Sequence, residues 1–163
     1  METTIIPAVP ADALALIDVQ NQAFYDDFRQ YGDCPSYQEP ETRMREMIEQ
    51  AIVKKIVAVN TAEIIGDLIA RRRENGIYYL RVIAVIPRFW NQGVGTRALT
   101  TLEQQFPDAT KWTLVTPHQS FRNHHFYEKL GYRKVAEHVH SEKLTLWEYE
   151  KPFCDPVFPA FRS

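Results

Sequence analysis

The residues from Val82 to Arg97, Val82-Ile83-Ala84-Val85-Ile86-Pro87-Arg88-Phe89-Trp90-Asn91-Gln92-Gly93-Val94-Gly95-Thr96-Arg97, have the makings of an anion site. An apolar strand passes through a short loop into two glycines and then directly into a helix. The first N–H groups of a helix have no intrahelical partner and sit at the positive end of its dipole, and glycines let that bare backbone approach a phosphate closely. Taken alone, such a turn is more often structural than phosphate-binding. The spacing narrows the anion. No Lys-Ser or Lys-Thr follows Gly95, so a nucleoside triphosphate P-loop is not expected. A third glycine in dinucleotide spacing is missing too, and with it the case for a nicotinamide site.

Composition sets the class. With 163 residues, 45% hydrophobic and 12% aromatic, the chain matches one ordinary domain able to bury a core without staples. Nineteen basic and 21 acidic residues give a net charge of -2, which argues against nucleic acid as a partner. The N-terminal Met1-Glu2-Thr3-Thr4 opens no basic-then-apolar leader, and no segment reaches membrane-span length, so a soluble, cytoplasmic protein without membrane contact is expected. Cys34 and Cys154 lie far apart without CxxC or Cys/His ligand spacing. Reduced thiols, no disulfide and no metal site are expected.

The elements that must position the loop follow from periodicity. Ile5-Ile6 closes a short strand, and Pro10-Ala11-Asp12 starts a helix through about Phe24. Residues 26–40, polar, aromatic and interrupted by Gly32 and Pro35, read as a loop. A second helix runs from Pro40 or Glu41 to about Gln50, with Met44, Met47 and Ile48 as its core stripe. Strands at 54–59, 64–71 and 78–85 form an antiparallel meander. The glycine loop then leads into a helix from about Gly95 to Phe106, stopped by Pro107. After a strand at 112–115, Ser120 caps a helix to Leu130, and Gly131 takes the left-handed position beyond its end. Strands at 132–138 and 144–151 complete an α+β domain with a mixed sheet, residues 1–163. The Pro/Phe-rich tail, 152–163, is its one separable piece, free to pack on the domain, meet a second subunit or remain unfolded.

This chain resembles the GNAT superfamily of acyl-CoA-dependent N-acyltransferases over nearly all its length. Two motifs carry the resemblance. One is the strand, Pro87 and then Trp90-Asn91-Gln92-Gly93-Val94-Gly95-Thr96, similar to the family's Gln/Arg-x-x-Gly-x-Gly/Ala loop. The other is Phe126-Tyr127-Glu128-Lys129-Leu130-Gly131-Tyr132, similar to its Phe-Tyr-Glu-Lys-x-Gly-Phe helix end. The resemblance implies a central mixed β-sheet flanked by helices and splayed at its two central parallel strands, here those ending at Val85 and Val115. It implies that acetyl-CoA is the cosubstrate. Backbone amides from Gln92 through Gly93, Val94 and Gly95 to Thr96, flanked by Asn91 and Arg97, would hold its pyrophosphate. Ile83, Ala84 and Val85 would pair strand-like with the pantetheine arm, and Asn123 and Phe126 would line it. Tyr127 matches the tyrosine that faces the cofactor sulfur and protonates the leaving thiolate; its phenol, ordinarily near pKa ~10, stays protonated at neutral pH.

Departures from the family pattern limit what carries over. Trp90 stands at the common Gln/Arg position, and Ser120 stands where an Asn is usual. Relatives with a carboxylate base on the strand before the loop place it near Tyr79 and Arg81, and neither is acidic. His118, His124 and His125 are the alternatives, each with a cap or surface role as competitor. Asp26, Asp27, Asp33 and Glu39, beside the family's acceptor-lining loop, would attract a cationic amine, though a solvated loop explains them equally well. The resemblance therefore implies an N-acetyltransferase acting on a small-molecule or peptide amine, with a homodimer carried over from the family. The alternative is a non-catalytic acyl-CoA-binding module of the same fold, acting as sensor or partner-binding unit.

Overall fold

In the computed structural model, which describes residues 1–153, seven strands form one sheet in the order β1-β2-β3-β4-β5-β7-β6. The strands are β1 (Thr3–Pro7), β2 (Ile52–Ala58), β3 (Ile64–Arg72), β4 (Ile77–Val85), β5 (Lys111–Pro117), β6 (Arg133–Ser141) and β7 (Leu144–Pro152). The helices are α1 (Ala13–Tyr31), α2 (Glu41–Gln50), α3 (Val94–Gln105) and α4 (Phe121–Lys129). This is the α+β arrangement expected. Cys154 and the tail from 154 onward lie outside the described residues.

Each face of the sheet has its own core. On one, Val94, Ala98, Leu99 and Leu102 of α3 pack with Tyr127 of α4 against Tyr78, Leu80, Trp112 and Leu114. On the other, Ala13, Leu16 and Val19 of α1 and Met44 and Met47 of α2 cover Val53, Ile69, Val82 and Ala84. Tyr78, Leu80, Val82 and Ala84 are all even-numbered, so strict strand alternation would place all four on one face. A register shift separates them: Ala70 opposes Leu80 while Ile69 opposes Val82, leaving Arg81 as an extra residue in β4. This β-bulge turns the second half of β4 over, so that it serves the opposite core.

The helix expected to end near Phe24 continues to Tyr31, correcting the loop assigned to 26–40. Nothing between Tyr25 and Tyr31 breaks a helix, and Phe28 stacks on Tyr37 with ring centroids 4.5 Å apart. Gly32 ends it in the left-handed region, φ 67°, its N–H bonding the Phe28 carbonyl. The extra turns carry Asp26 and Asp27 out of the loop and onto a helix. No described helix is long and apolar enough to cross a membrane.

All strand pairs are antiparallel except β4 with β5. That parallel pair is joined only at Ile77/Lys111, Tyr78/Trp112 and Tyr79/Thr113. Beyond Tyr79 the strands diverge, β4 continuing to Val85 and β5 to Pro117. The sheet is split at its centre, as expected.

Candidate functional site

The split leaves backbone groups of β4 without a neighbouring strand. Ile86 donates to the Ile65 carbonyl of β3, 2.9 Å, which fixes the parity of the ladder. The backbone groups of Ile83 and Val85 then point into the slot, and those of Ala84 point to Asp67 of β3. Of the three residues expected to pair with a pantetheine arm, two offer their backbone to the slot and Ala84 faces away. The Val85 carbonyl is already engaged: Trp90 Nε1–H donates to it at 2.7 Å. Its N–H remains open.

The loop that follows is wound for an anion. Asn91 and Gly93 both have positive φ, 62° and 75°, and Gly93 occupies the cap position of α3 without any side-chain bond to the helix start. The first bond back into the turn is made by Arg97, whose N–H reaches the Gly93 carbonyl at 3.1 Å. The N–H groups of Val94, Gly95 and Thr96 are thus the orphan donors of this helix end. Val94 buries its side chain in the core, while Asn91, Gln92 and Thr96 are exposed around the cradle.

The two glycines do different things. A Cβ on Gly93 would lie 2.8 Å from the Arg97 guanidinium, in a backbone region that side chains rarely adopt. One on Gly95 would meet the Phe126 ring at 3.3 Å, with Ile83 at 3.9 Å. Gly95 therefore lets α4 approach α3 beside the slot. The Arg97 guanidinium bonds the carbonyls of Gln92, 3.1 Å, and Met1, 3.0 Å, bracing the loop against the N-terminus.

Helix α4 forms the other wall. Asn123 Nδ2 donates to Thr116 Oγ1 at 3.1 Å, tying the helix to β5 at the split. Tyr127 is 7% exposed, among the rings of Phe126, Tyr132 and Tyr149, and its hydroxyl bonds no described residue. Burial raises its pKa well above the ordinary value, and the neighbouring Tyr79 and Asp27 push the same way. It is a proton donor with nothing yet to donate to. Beyond it, Gly131 takes φ 95° and the Tyr132 N–H returns to the Tyr127 carbonyl at 3.1 Å, closing the helix as its sequence requires. Ser120 occupies the cap position but makes no side-chain cap bond.

The remaining candidates separate by their partners. His124 is buried, bonded through Nε2 to the Pro117 carbonyl at 2.9 Å and stacked on Trp147 at 4.4 Å. His118 Nδ1 lies 3.3 Å from the Thr145 carbonyl, and His125 is exposed. Glu39 is held between Arg43, 3.7 Å, and Arg81, 3.9 Å, and Asp33 meets His140 at 2.8 Å. Arg81, the bulge residue, also points at the Met47 sulfur, 3.3 Å. Across the slot, Arg122 stacks 3.8 Å over the Trp90 ring, joining α4 to the loop after β4. The bulge and the Trp90 contacts escape sequence reading because neither leaves a periodic or motif signal; tryptophan at a position usually polar was the one hint.

The acetyltransferase (GNAT) family model matches residues 21–132. The fold resembles the ribosomal-protein-S18-alanine N-acetyltransferase of Escherichia coli, TM-score 0.76 at 15% identity, covering 93% of this chain and 94% of that one. It resembles equally the PaiA N-acetyltransferase of Thermoplasma acidophilum, solved with coenzyme A, TM-score 0.74 at 15% identity over 94% of this chain and 100% of that one. The uncharacterized protein YrkN of Bacillus subtilis (strain 168) is 39% identical over 57 residues, 34% of this chain and 31% of that protein.

Proposed function

The chain belongs to the GNAT acetyltransferase family, and from that premise we propose that it moves the acetyl group of acetyl-CoA onto a primary amine by direct attack. The observation that carries the reading is Tyr127: a phenol 7% exposed, without a partner for its hydroxyl among the described residues, on the helix that walls an open slot in the sheet. The ring is buried but the hydroxyl oxygen is not one of the sealed unpaired atoms of the described residues, so it is open to a ligand's acceptor atom.

The residues present fit the cosubstrate. The orphan N–H groups of Val94, Gly95 and Thr96, preceded by the positive-φ turn at Asn91 and Gly93, suit a pyrophosphate. The slot-facing N–H and C=O of Ile83 suit an amide-containing arm, as an open sheet edge does. Asn123 and Phe126 line the opposite wall. Bound there, acetyl-CoA would supply an activated thioester. The Val85 N–H is the backbone donor available to polarise its carbonyl oxygen, and Tyr127 the acid available to the departing sulfur. The high pKa of the phenol keeps its proton in place for that use across the neutral range.

The test pairs binding with turnover. Acetyl-CoA is titrated into the protein, and free thiol is then followed with polyamine, aminoglycoside, amino-acid, peptide N-terminal and lysine-peptide acceptors. Micromolar binding with thiol release on at least one amine is the expected result. Binding without release on any of them favours the non-catalytic module, and absence of binding removes the acyl-CoA reading altogether.

A further inference from the structure

The geometry points to Asp27 as the carboxylate that receives the attacking amine, binding it as an ammonium ion and taking its proton, so that the acceptor is a cationic primary amine. This rests on the acetyl-CoA reading above and adds the acceptor half of the chemistry.

The carboxylates around the slot separate by their partners. Glu39 is held between Arg43 and Arg81, and Asp33 and Glu148 are each taken up by an imidazole, His140 and His138, at 2.8 Å. Asp26 is exposed on the outer side of α1. Asp27 is half-buried and belongs to no ion pair among the described residues.

Its direction follows from the helix. Gln30 Nε2 reaches Gln119 Oε1, in the loop between β5 and α4, at 3.5 Å. Residues three apart lie on one side of a helix, so Asp27 faces the first turns of α4 one turn below that contact. Tyr31, four residues on, is 4% exposed on the same side. The charge of Asp27 acts there on Arg122 and on the Tyr127 phenol, as its place opposite the start of α4 requires.

Among the described residues Arg122 is the cation whose charge acts on it. Its guanidinium instead lies over the Trp90 ring at 3.8 Å, and no Asp27–Arg122 bond forms. Trp90, through its own bond to the Val85 carbonyl, is fixed to the end of β4. The carboxylate that the loop's tryptophan leaves without an ion pair is the one opposite the start of α4. Burial, with Asp26 beside it, raises the Asp27 pKa against the opposing pull of Arg122, the direction that makes a carboxylate a better proton acceptor.

The protons balance. The acceptor ammonium gives its first proton to Asp27, which passes it to solvent. The free amine attacks the acetyl carbon, the C–S bond breaks, and the sulfur takes the Tyr127 proton. The second proton of the nitrogen restores the phenol, leaving one amide, one thiol and one released proton per turn.

The test needs no knowledge of the natural acceptor. CoA is alkylated on sulfur with a short tail ending in an ammonium group, or with the same tail ending in methyl, and both are titrated by calorimetry. Wild type and Asp26→Asn should prefer the ammonium tail by about tenfold or more, the worth of one charge-assisted bond, and Asp27→Asn should hold the two within about twofold while binding CoA itself unchanged. The wild-type preference should also grow as pH rises through the ionisation of Asp27, and stay flat in Asp27→Asn. The groups facing that carboxylate are Asp26 and Tyr31 of α1, Cys34 of the next loop, and Arg122 and Tyr127 of α4. Equal affinities in wild type, or a preference that survives in Asp27→Asn, overturns the assignment. Failure of CoA itself to bind wild type overturns the cofactor reading first, and this inference with it.

Discussion

Replacing Asp67 by Asn should make the protein more stable above neutral pH, and the size of the gain can be worked from the surroundings of one side chain. Asp67 lies on β3 opposite Ala84 and is fully buried, as is Gln20 of α1, whose Nε2 donates to Asp67 Oδ2 at 2.7 Å. Asp67 Oδ1 and Gln20 Oε1 have no partner among the described residues, and once the carboxyl is ionised they are two acceptors with no hydrogen for either. Burial pushes the carboxyl from its ordinary 3.8 up to about 7, against the opposing pull of the Gln20 bond and of Arg81.

The folded protein thus keeps a proton that the unfolded chain has already lost once the pH passes 4. Where the unfolded state binds fewer protons, stability falls as pH rises, so the full stability is present below the unfolded value and is lost by pH 7. A gap of about three pH units at about 1.4 kcal/mol each makes the loss roughly 4 kcal/mol, an upper bound for a site that can relax. An asparagine never ionises, and its Nδ2–H supplies the hydrogen that Gln20 Oε1 lacks while its oxygen accepts from Gln20 Nε2. Urea unfolding of wild type and Asp67→Asn across pH 4–8 is the assay. The two should agree within about 1 kcal/mol at pH 4, and the variant should lead by about 2–4 kcal/mol at pH 8. Parallel pH dependences, or a variant less stable at pH 8, would refute the reasoning.

Three further substitutions probe the slot. Tyr127→Phe should lower kcat about 100-fold, the scale of one positioned acid, with the Kd for acetyl-CoA within about twofold; unchanged turnover would remove the acid role. Gly93→Ala forces a side chain to φ 75° and against the Arg97 guanidinium, so a loss of about 1 kcal/mol in stability and weaker CoA binding are expected by denaturation and calorimetry. Unchanged CoA affinity there would contradict the pyrophosphate cradle. Trp90→Phe removes the donor to the Val85 carbonyl and should cost about 1 kcal/mol in urea unfolding, with no loss if water replaces the indole N–H without penalty.

The parts of the fold readable from sequence were those set by local chemistry. The glycine turn, the α3 stripe of Ala98, Leu99 and Leu102, the Pro107 stop and the left-handed Gly131 each follow from neighbours within a few residues. Helix α1 reads short from sequence because Asp26 to Tyr31 is polar and aromatic; no residue there breaks a helix, and the Phe28–Tyr37 contact that accompanies the extra turns is one local propensity does not encode. The Arg81 bulge was invisible for a similar reason, since an unbroken apolar alternation through Tyr78–Val85 reads as one strand face and only the β3 register reveals two. Within the site, residue types that could carry charge were readable. Which of them had partners was not: four carboxylates looked alike until Arg43, Arg81 and His140 claimed two of them and helix position separated Asp26 from Asp27.

The three-rung joint between β4 and β5 has a mechanical consequence. On either side of it stands an antiparallel panel, β1 to β4 and β5 to β7 with β6, each held by ladders of its own, and the chain crosses the joint through α3. Such a molecule is two leaves on a short spine. Amide hydrogen exchange should detect the leaves as separately opening units, with the rungs at Tyr78 and Tyr79 loosening before either ladder does. A molecule seated between the leaves touches both and works as a binding clip, raising the cooperativity of unfolding along with its midpoint.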